Sequence, residues 1–197
     1  MKIAMMSVAA LAVVGLANAG EVKVTKSLNR DYWTSMKGVQ VKDLTSSKKF
    51  KEKPTGRDEI KAGFKAVSWK NPKQDQRWGA LFGEKIYGYL VPKETGEYIF
   101  ALSNDDAAEL FISSDADPKN KKSVLKNRIT AYGKWSKGSK PVKLEAGKSY
   151  YVELLHKENT GNTYALVGWK KAGGKDCKLI AAEYLSSFTG GVPAKKK

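Results

Sequence analysis

Short runs dense in Tyr, Phe, Val and Ile, each closed off by turn residues, recur between residues 84 and 169: EKIYGYLV, GEYIFALS, AELFIS, KPVKL, KSYYVELLHK and TYALVGW. Such side chains fit a pleated, partly buried surface, and runs of this length read as strands. The connections agree. VPKETG precedes GEYIFALS, and EAGK separates KPVKL from SYYVELL, so Pro, Thr and Gly stand where hairpin turns need them. Tyr98-Ile99-Phe100-Ala101-Leu102 is apolar at odd and even positions alike, which fits a central strand covered on both faces. Strands at this spacing predict an all-β fold, an antiparallel β-sandwich or a barrel. Helix signals are sparse: a short helix is expected over Arg57–Phe64 and a single turn over Ala181–Leu185. No internal repeat is evident.

The first 19 residues read as a targeting segment. Met1-Lys2 is a positive start, Ile3–Leu16 an apolar stretch, and Ala17-Asn18-Ala19 an A-x-A cleavage site. The apolar stretch is short for a membrane span. Secretion is therefore expected, to the periplasm, the cell surface or beyond, leaving Gly20–Lys197. No second long apolar segment follows. Residues 20–188 form one expected domain, and the tail from Thr189 to Lys197, with its Gly pair, Pro and three lysines, is expected to be flexible.

The single cysteine, Cys177, excludes an internal disulfide. The formal charge is +16, which favours acidic partners such as anionic polysaccharide. The lysines are scattered, as in KDLTSSKKFKEK and GKWSKGSK, and a solvated basic surface is the favoured reading over a dedicated polyanion site. No zinc spacing, RRM-type aromatic signature or basic heptad helix is present, so sequence-specific nucleic-acid reading is not expected.

The segment SNDDAAELFIS breaks the pattern. Asp105 and Asp106 stand together at the junction of two strand runs. Consecutive strand side chains point to opposite faces, so converging them on one point takes an unusual backbone. Paired acids there can offer hard oxygen ligands to Ca2+; the other reading is a polar turn. His156 is the only histidine and reads first as a packed residue. A His156–Cys177 dyad lacks a third orienting group. Glu153 and Glu158 could act as paired carboxylates on a glycosidic bond only if they stood at the required separation in space. Of the tryptophans, Trp33, Trp69, Trp78 and Trp169 lie in or beside patterned strands and are expected in the core. Trp135, in YGKWSKG, is a candidate to stack on a sugar ring or meet an acidic partner, although tryptophan more often buries.

The order of these segments resembles the protective-antigen type domain, found in bacterial adhesins, glycosidase-associated modules and yeast flocculins. The resemblance runs from about Asp31 to Phe188. It includes Tyr32-Trp33, Trp78-Gly79, FGEKIYGYL, VPKETGEYIFALSNDDAAELFIS, PVKLEAGKSYYVELLHKE, YALVGWKK and IAAEYLSSF. It implies an antiparallel β-sandwich with long loops at one end. It also implies that Asp105 and Asp106 are joined by a cis peptide bond and hold one Ca2+ that meets sugar hydroxyls. Counting along YVELLHKEN places the next ligand at Asn159, with backbone oxygens near Gly161 and Thr163 completing the shell. Asn162 replaces Asn159 if the register shifts. Asn104, Asn162 and Trp135 are the candidate ligand contacts. The expectation is a non-catalytic, Ca2+-dependent glycan-binding module, with an acidic glycan suited to the basic surface and self-association left open. The alternative is a structural subunit or adapter of a cell-surface assembly.

Overall fold

Inward-facing residues at period two assemble two antiparallel sheets in the computed structural model of the chain, which describes residues 24–68 and 81–188. The leader, Trp69, Trp78 and the tail lie outside the described residues. The first sheet contains β1 (Leu28–Trp33), β2 (Gly56–Ile60), β4 (Phe82–Leu90), β6 (Ala107–Ser113), β7 (Lys121–Asn127), β9 (Tyr150–Glu158) and β12 (Leu185–Ser187). Its order is β2-β1-β4-β9-β6-β7, with β12 on the far end of β4. The second contains β3 (Lys65–Ser68), β5 (Gly96–Asp105), β8 (Val142–Leu144), β10 (Thr163–Lys171) and β11 (Lys178–Leu179). There β10 lies between β5 and the pair β3 and β11.

The core lies between the sheets. Ile86, Leu110, Val152 and Leu154 from the first meet Phe100, Leu102, Ala165 and Val167 from the second. Burying each such side chain contributes about 1.5–3 kcal/mol. The sandwich is the expected all-β architecture, and every run quoted from residue 84 onward forms a strand.

The segment Arg57–Phe64 departs from expectation: it carries strand β2 instead of a helix. Its charges are cross-strand partners. Asp58 lies opposite Arg30 and takes a bidentate bond from it at 2.7 and 2.6 Å. Arg57 lies opposite Asp31 at 3.0 Å, and Lys85 on β4 approaches Asp31 from its other side at 3.6 Å. The single turn at Ala182–Tyr184 is present. Two short helices, α1 (Val41–Thr45) and α2 (Lys48–Lys51), fall in the lysine-rich stretch. They pack on the outer face of the first sheet, where Trp33, Met36, Val41, Leu44 and Leu155 form a second cluster. Gly83 makes that contact close: a Cβ there would stand 2.4 Å from Leu44.

Trp33 is buried, and Trp169 is half-buried on the core with its ring stacked on Tyr98 at 4.7 Å. The segment Arg128–Pro141 runs along the edge of β5 beyond its pairing with β8, and its Trp135 lies against Gly168 on the outer face of the second sheet. The Ser136 N–H donates to the Leu102 carbonyl and the Ser139 N–H to the Phe100 carbonyl, while both serine hydroxyls accept from the same β5 residues. The serines thus mimic a neighbouring strand.

Candidate metal and ligand site

The inward positions turn from apolar to polar as the strands reach one end of the sandwich. On β9 the series is Val152, Leu154, His156, Glu158; on β5 it is Phe100, Leu102, Asn104; on β4, Ile86 is followed outward by Glu84. Glu84, Asn104, His156 and Glu158 are all 0–1% exposed. At this end the chain passes from one sheet to the other between β5 and β6, with Asp106 alone between the strands. The Asp105–Asp106 peptide bond is cis, as the family resemblance implies.

Three carboxylates converge here. One oxygen each from Asp105, Asp106 and Glu158 lies within 4.8 Å of the others. Neither oxygen of the buried Glu158 carboxylate has a hydrogen-bond partner. Burial pushes the Glu158 carboxyl up to about 7; Asp106 and Asp105 add to the rise, while His156 and, more weakly, the nearby Thr163 side chain oppose it. Burial also raises Asp105, helped by the charge of Asp106.

The partners around these acids are fixed. The Asn104 amide donates to the Asp106 carbonyl at 2.5 Å and receives a bond from the Asn127 amide at 2.8 Å. It is fully buried, so Asn104 braces the crossing and does not face outward. The Asn159 N–H donates to Asp106 Oδ2 at 2.9 Å, and its carbonyl accepts from Leu81. Asn159 therefore stands beside the acids, with its backbone as the fixed contact. Gly161 follows in the β9–β10 turn at φ +123°, Asn162 is exposed, and Thr163 opens β10 buried.

His156 links the acids to the interior. Its Nε2 lies 2.8 Å from the Asp105 carbonyl, which can only accept, and its Nδ1 lies 2.8 Å from Glu84 Oε1. Burial lowers the His156 pKa, but the Glu84 bond and charge outweigh it and leave the net shift upward. The ring is thus read as an imidazolium donating on both sides. Glu84 faces Arg30 at 3.6 Å on its other oxygen, so a chain of alternating charge runs from the exposed Asp58 through Arg30 to the buried Glu84 and His156, and ends on the Asp105 carbonyl. Lys157 is also fully buried, donates to the Glu158 carbonyl at 2.5 Å, and has its pKa lowered by burial.

Two arrangements raised by the sequence do not form. Glu153 points to the outer face of the first sheet, bonded by Lys121 and Tyr151, while Glu158 points inward. They cannot flank one glycosidic bond. His156 lies between the sheets, while Cys177 is half-buried among Lys170 and Trp135. Trp135 sits against Gly168, four registers along β10 from the Tyr164 that pairs with Asp105. Among the described residues an exposed aromatic on this side is instead Tyr132, 42% exposed and edge-on at 5.2 Å to Tyr164, the register partner of Asp105. Neither Glu158 nor Tyr132 was assigned to the site from sequence. Counting by twos from Val152 and Leu154 gives Glu158 its inward direction; no local signal sets Tyr132 beside β10.

The donor set suits Ca2+, which takes six to eight hard oxygens. An orphaned buried carboxylate between two aspartates is the kind of group such an ion would satisfy.

Comparison with known proteins agrees with this architecture. The PA14 domain of an antifreeze protein, MpAFP, superposes with a TM-score of 0.61 at 13% identity, over 82% of this chain and 91% of that one. A PA14 sugar-binding domain from an RTX adhesin gives 0.60 at 12% identity, over 82% and 98%. The A domain of epithelial adhesin 9 from Candida glabrata, in complex with Galb1-3GlcNAc, gives 0.60 at 14%, over 84% and 91%. By sequence, the mouse N-acetyl-beta-glucosaminyl-glycoprotein 4-beta-N-acetylgalactosaminyltransferase 1 is 31% identical over 119 residues, 55% of this chain. Mouse fibrocystin-L is 29% identical over 90 residues, 44% of this chain. The chain spans 12% and 2% of those two proteins. The PA14 domain profile matches residues 35–182, and the chain belongs to the PA14 domain family.

Proposed function

We propose that this domain binds glycan through one Ca2+ held by Asp105, Asp106 and Glu158 at the open end of the sandwich. The observation that carries the reading is Glu158, a fully buried carboxylate with no hydrogen-bond partner for either oxygen, within 4.8 Å of both aspartates. Buried carboxylates are normally paired or bound to a metal. A bound Ca2+ would supply a cation with coordination positions open to sugar hydroxyls. Asn159 and the backbone oxygens of Gly161 and Thr163 are the further donors that the adjoining turn offers. His156, donating to the Asp105 carbonyl, holds the crossing in place. Tyr132 supplies an exposed ring on the rim for a sugar face to meet.

The role we assign is that of a secreted, non-catalytic module. The leader at residues 1–19 supports export, and among the described residues no helix is long and apolar enough to cross a membrane. The sugar-binding and adhesin domains of like fold supply the ligand class.

Calorimetric titration with Ca2+ tests the metal. One site is expected, lost in Asp105→Asn/Asp106→Asn, with a rise in melting temperature on adding Ca2+. No heat and no change in melting temperature would remove the reading.

A further inference from the structure

A cleft of about 390 Å³ opens on the outer face of the second sheet, away from the three carboxylates. Its floor is Ala101 on β5, its walls are Trp135 and Cys177, and its rim carries Lys170, Lys175 and Asp176. Ala101 is four residues from Asp105 along β5, about 13 Å at the rise of a strand. Between them Ser103 is fully buried, bonded to the Ala131 carbonyl and the Gly133 N–H of the segment along the β5 edge. The cleft is therefore separate from the acid pair.

Its walls are preformed. Gly168 lets both wall residues lie flush on β10: a Cβ there would stand 2.6 Å from Trp135 Cη2 and 2.8 Å from Cys177 Sγ. The residue after Trp135 is bound to β5 in both directions, Ser136 N–H to the Leu102 carbonyl at 2.8 Å and Leu102 N–H to Ser136 Oγ at 3.1 Å. An aromatic wall held in this way loses little entropy on binding. The two lysines form no ion pair with any described residue, and Asp176 offers an acceptor for a hydroxyl.

We propose that this cleft is a second, metal-independent saccharide site for a sugar unit carrying one acidic group, a carboxylate or a sulfate. The negative face of the Trp135 indole meets the C–H face of the sugar. Lys170 and Lys175 meet the acid group, and Asp176 takes a hydroxyl. The cleft volume lies within the usual 300–1,000 Å³ range of ligand pockets. The overall charge of +16 draws an anionic chain toward it. The site stands apart from the calcium reading: it needs neither the ion nor the aspartates.

The test uses the full chain in EDTA, with digalacturonate, a sulfated uronate-containing disaccharide and neutral lactose as probes. Binding is read by tryptophan fluorescence and by the rate of Cys177 alkylation. Binding of at least one acidic probe but not lactose is expected, weakening with salt and slowing Cys177 alkylation severalfold. Lys170→Gln/Lys175→Gln, two changes at the cleft rim, should weaken it at least tenfold, as should Trp135→Ala. Asp105→Asn/Asp106→Asn should leave it intact. No binding of either acidic probe in EDTA, unchanged binding in the double lysine variant, or no protection of Cys177 would each overturn the proposal.

Discussion

Replacing Glu158 by Gln should stabilise the metal-free protein and weaken its hold on Ca2+. Glutamine keeps the shape and removes the charge. In the unfolded chain this carboxyl loses its proton near the ordinary 4.5; in the fold, burial holds it to about 7. Between those values the folded state binds more protons than the unfolded one, so stability falls as pH rises. The contribution is fully present below about pH 4.5 and lost above about pH 7. The gap corresponds to about 3 kcal/mol, or roughly 6–12 °C in melting temperature for a chain of this size. Melting curves in EDTA at pH 4.5 and pH 8 give the variant-minus-parent difference at each pH. That comparison removes the part of the alkaline loss from His156 that does not depend on Glu158; the part that does, the support the Glu158 charge gives the imidazolium, opposes the gain at pH 8 and is already contained in the Glu158 shift. The difference should be near zero at pH 4.5 and roughly 6–12 °C in favour of Glu158→Gln at pH 8, by the same conversion. Calcium affinity should fall at least tenfold. An equal difference at both pH values would refute the assignment of Glu158 as a buried, unpaired carboxylate.

Further outcomes follow from the same geometry. Asn104→Ala removes the amide that bonds the Asp106 carbonyl and takes the Asn127 bond; it should cost about 1–3 kcal/mol in urea denaturation and weaken Ca2+ binding as the crossing loosens. His156→Phe leaves Glu84 facing only Arg30 and the Asp105 carbonyl without its donor; breaking a buried pair of this kind should cost about 3–5 kcal/mol in the same assay. Tyr132→Ala removes the exposed ring and leaves Asp105, Asp106 and Glu158 in place; it should leave Ca2+ affinity unchanged while lowering glycan affinity severalfold, as read by calorimetry with and without sugar.

The strands that frame the acid pair were legible because their apolar residues alternate or run continuously. β5 and β6 announced themselves as GEYIFALS and AELFIS. β1 and β2 were not legible, because their alternation is carried by Arg30, Asp31, Arg57 and Asp58, whose pairing exists only across strands. A run of charges read locally looks like a helix surface. The acid pair stood out in the sequence, but the third carboxylate did not: Glu158 follows Lys157 at the mouth of a turn and reads as loop. The pairing of β9 with β4 carries the strand through Glu158, and alternation from Val152 and Leu154 then turns it inward. The aromatics are the converse case. Trp135 and Tyr132 share one segment, and the hydrogen bonds of Ser136 and Ser139 to β5 decide where each ring falls along the sheet. Spacing within the segment carries no trace of that choice.

The central claim is that glycan recognition runs through the ion at Asp105, Asp106 and Glu158. A glycan array probed with the labelled protein in Ca2+, then in EDTA, then with Ca2+ restored, tests it most directly. Among neutral glycans, which the Trp135 cleft does not take, the account expects a defined set bound in Ca2+, silent in EDTA, recovered on restoration and absent with Asp105→Asn/Asp106→Asn. Binding of those glycans that survives both EDTA and the double substitution would contradict it.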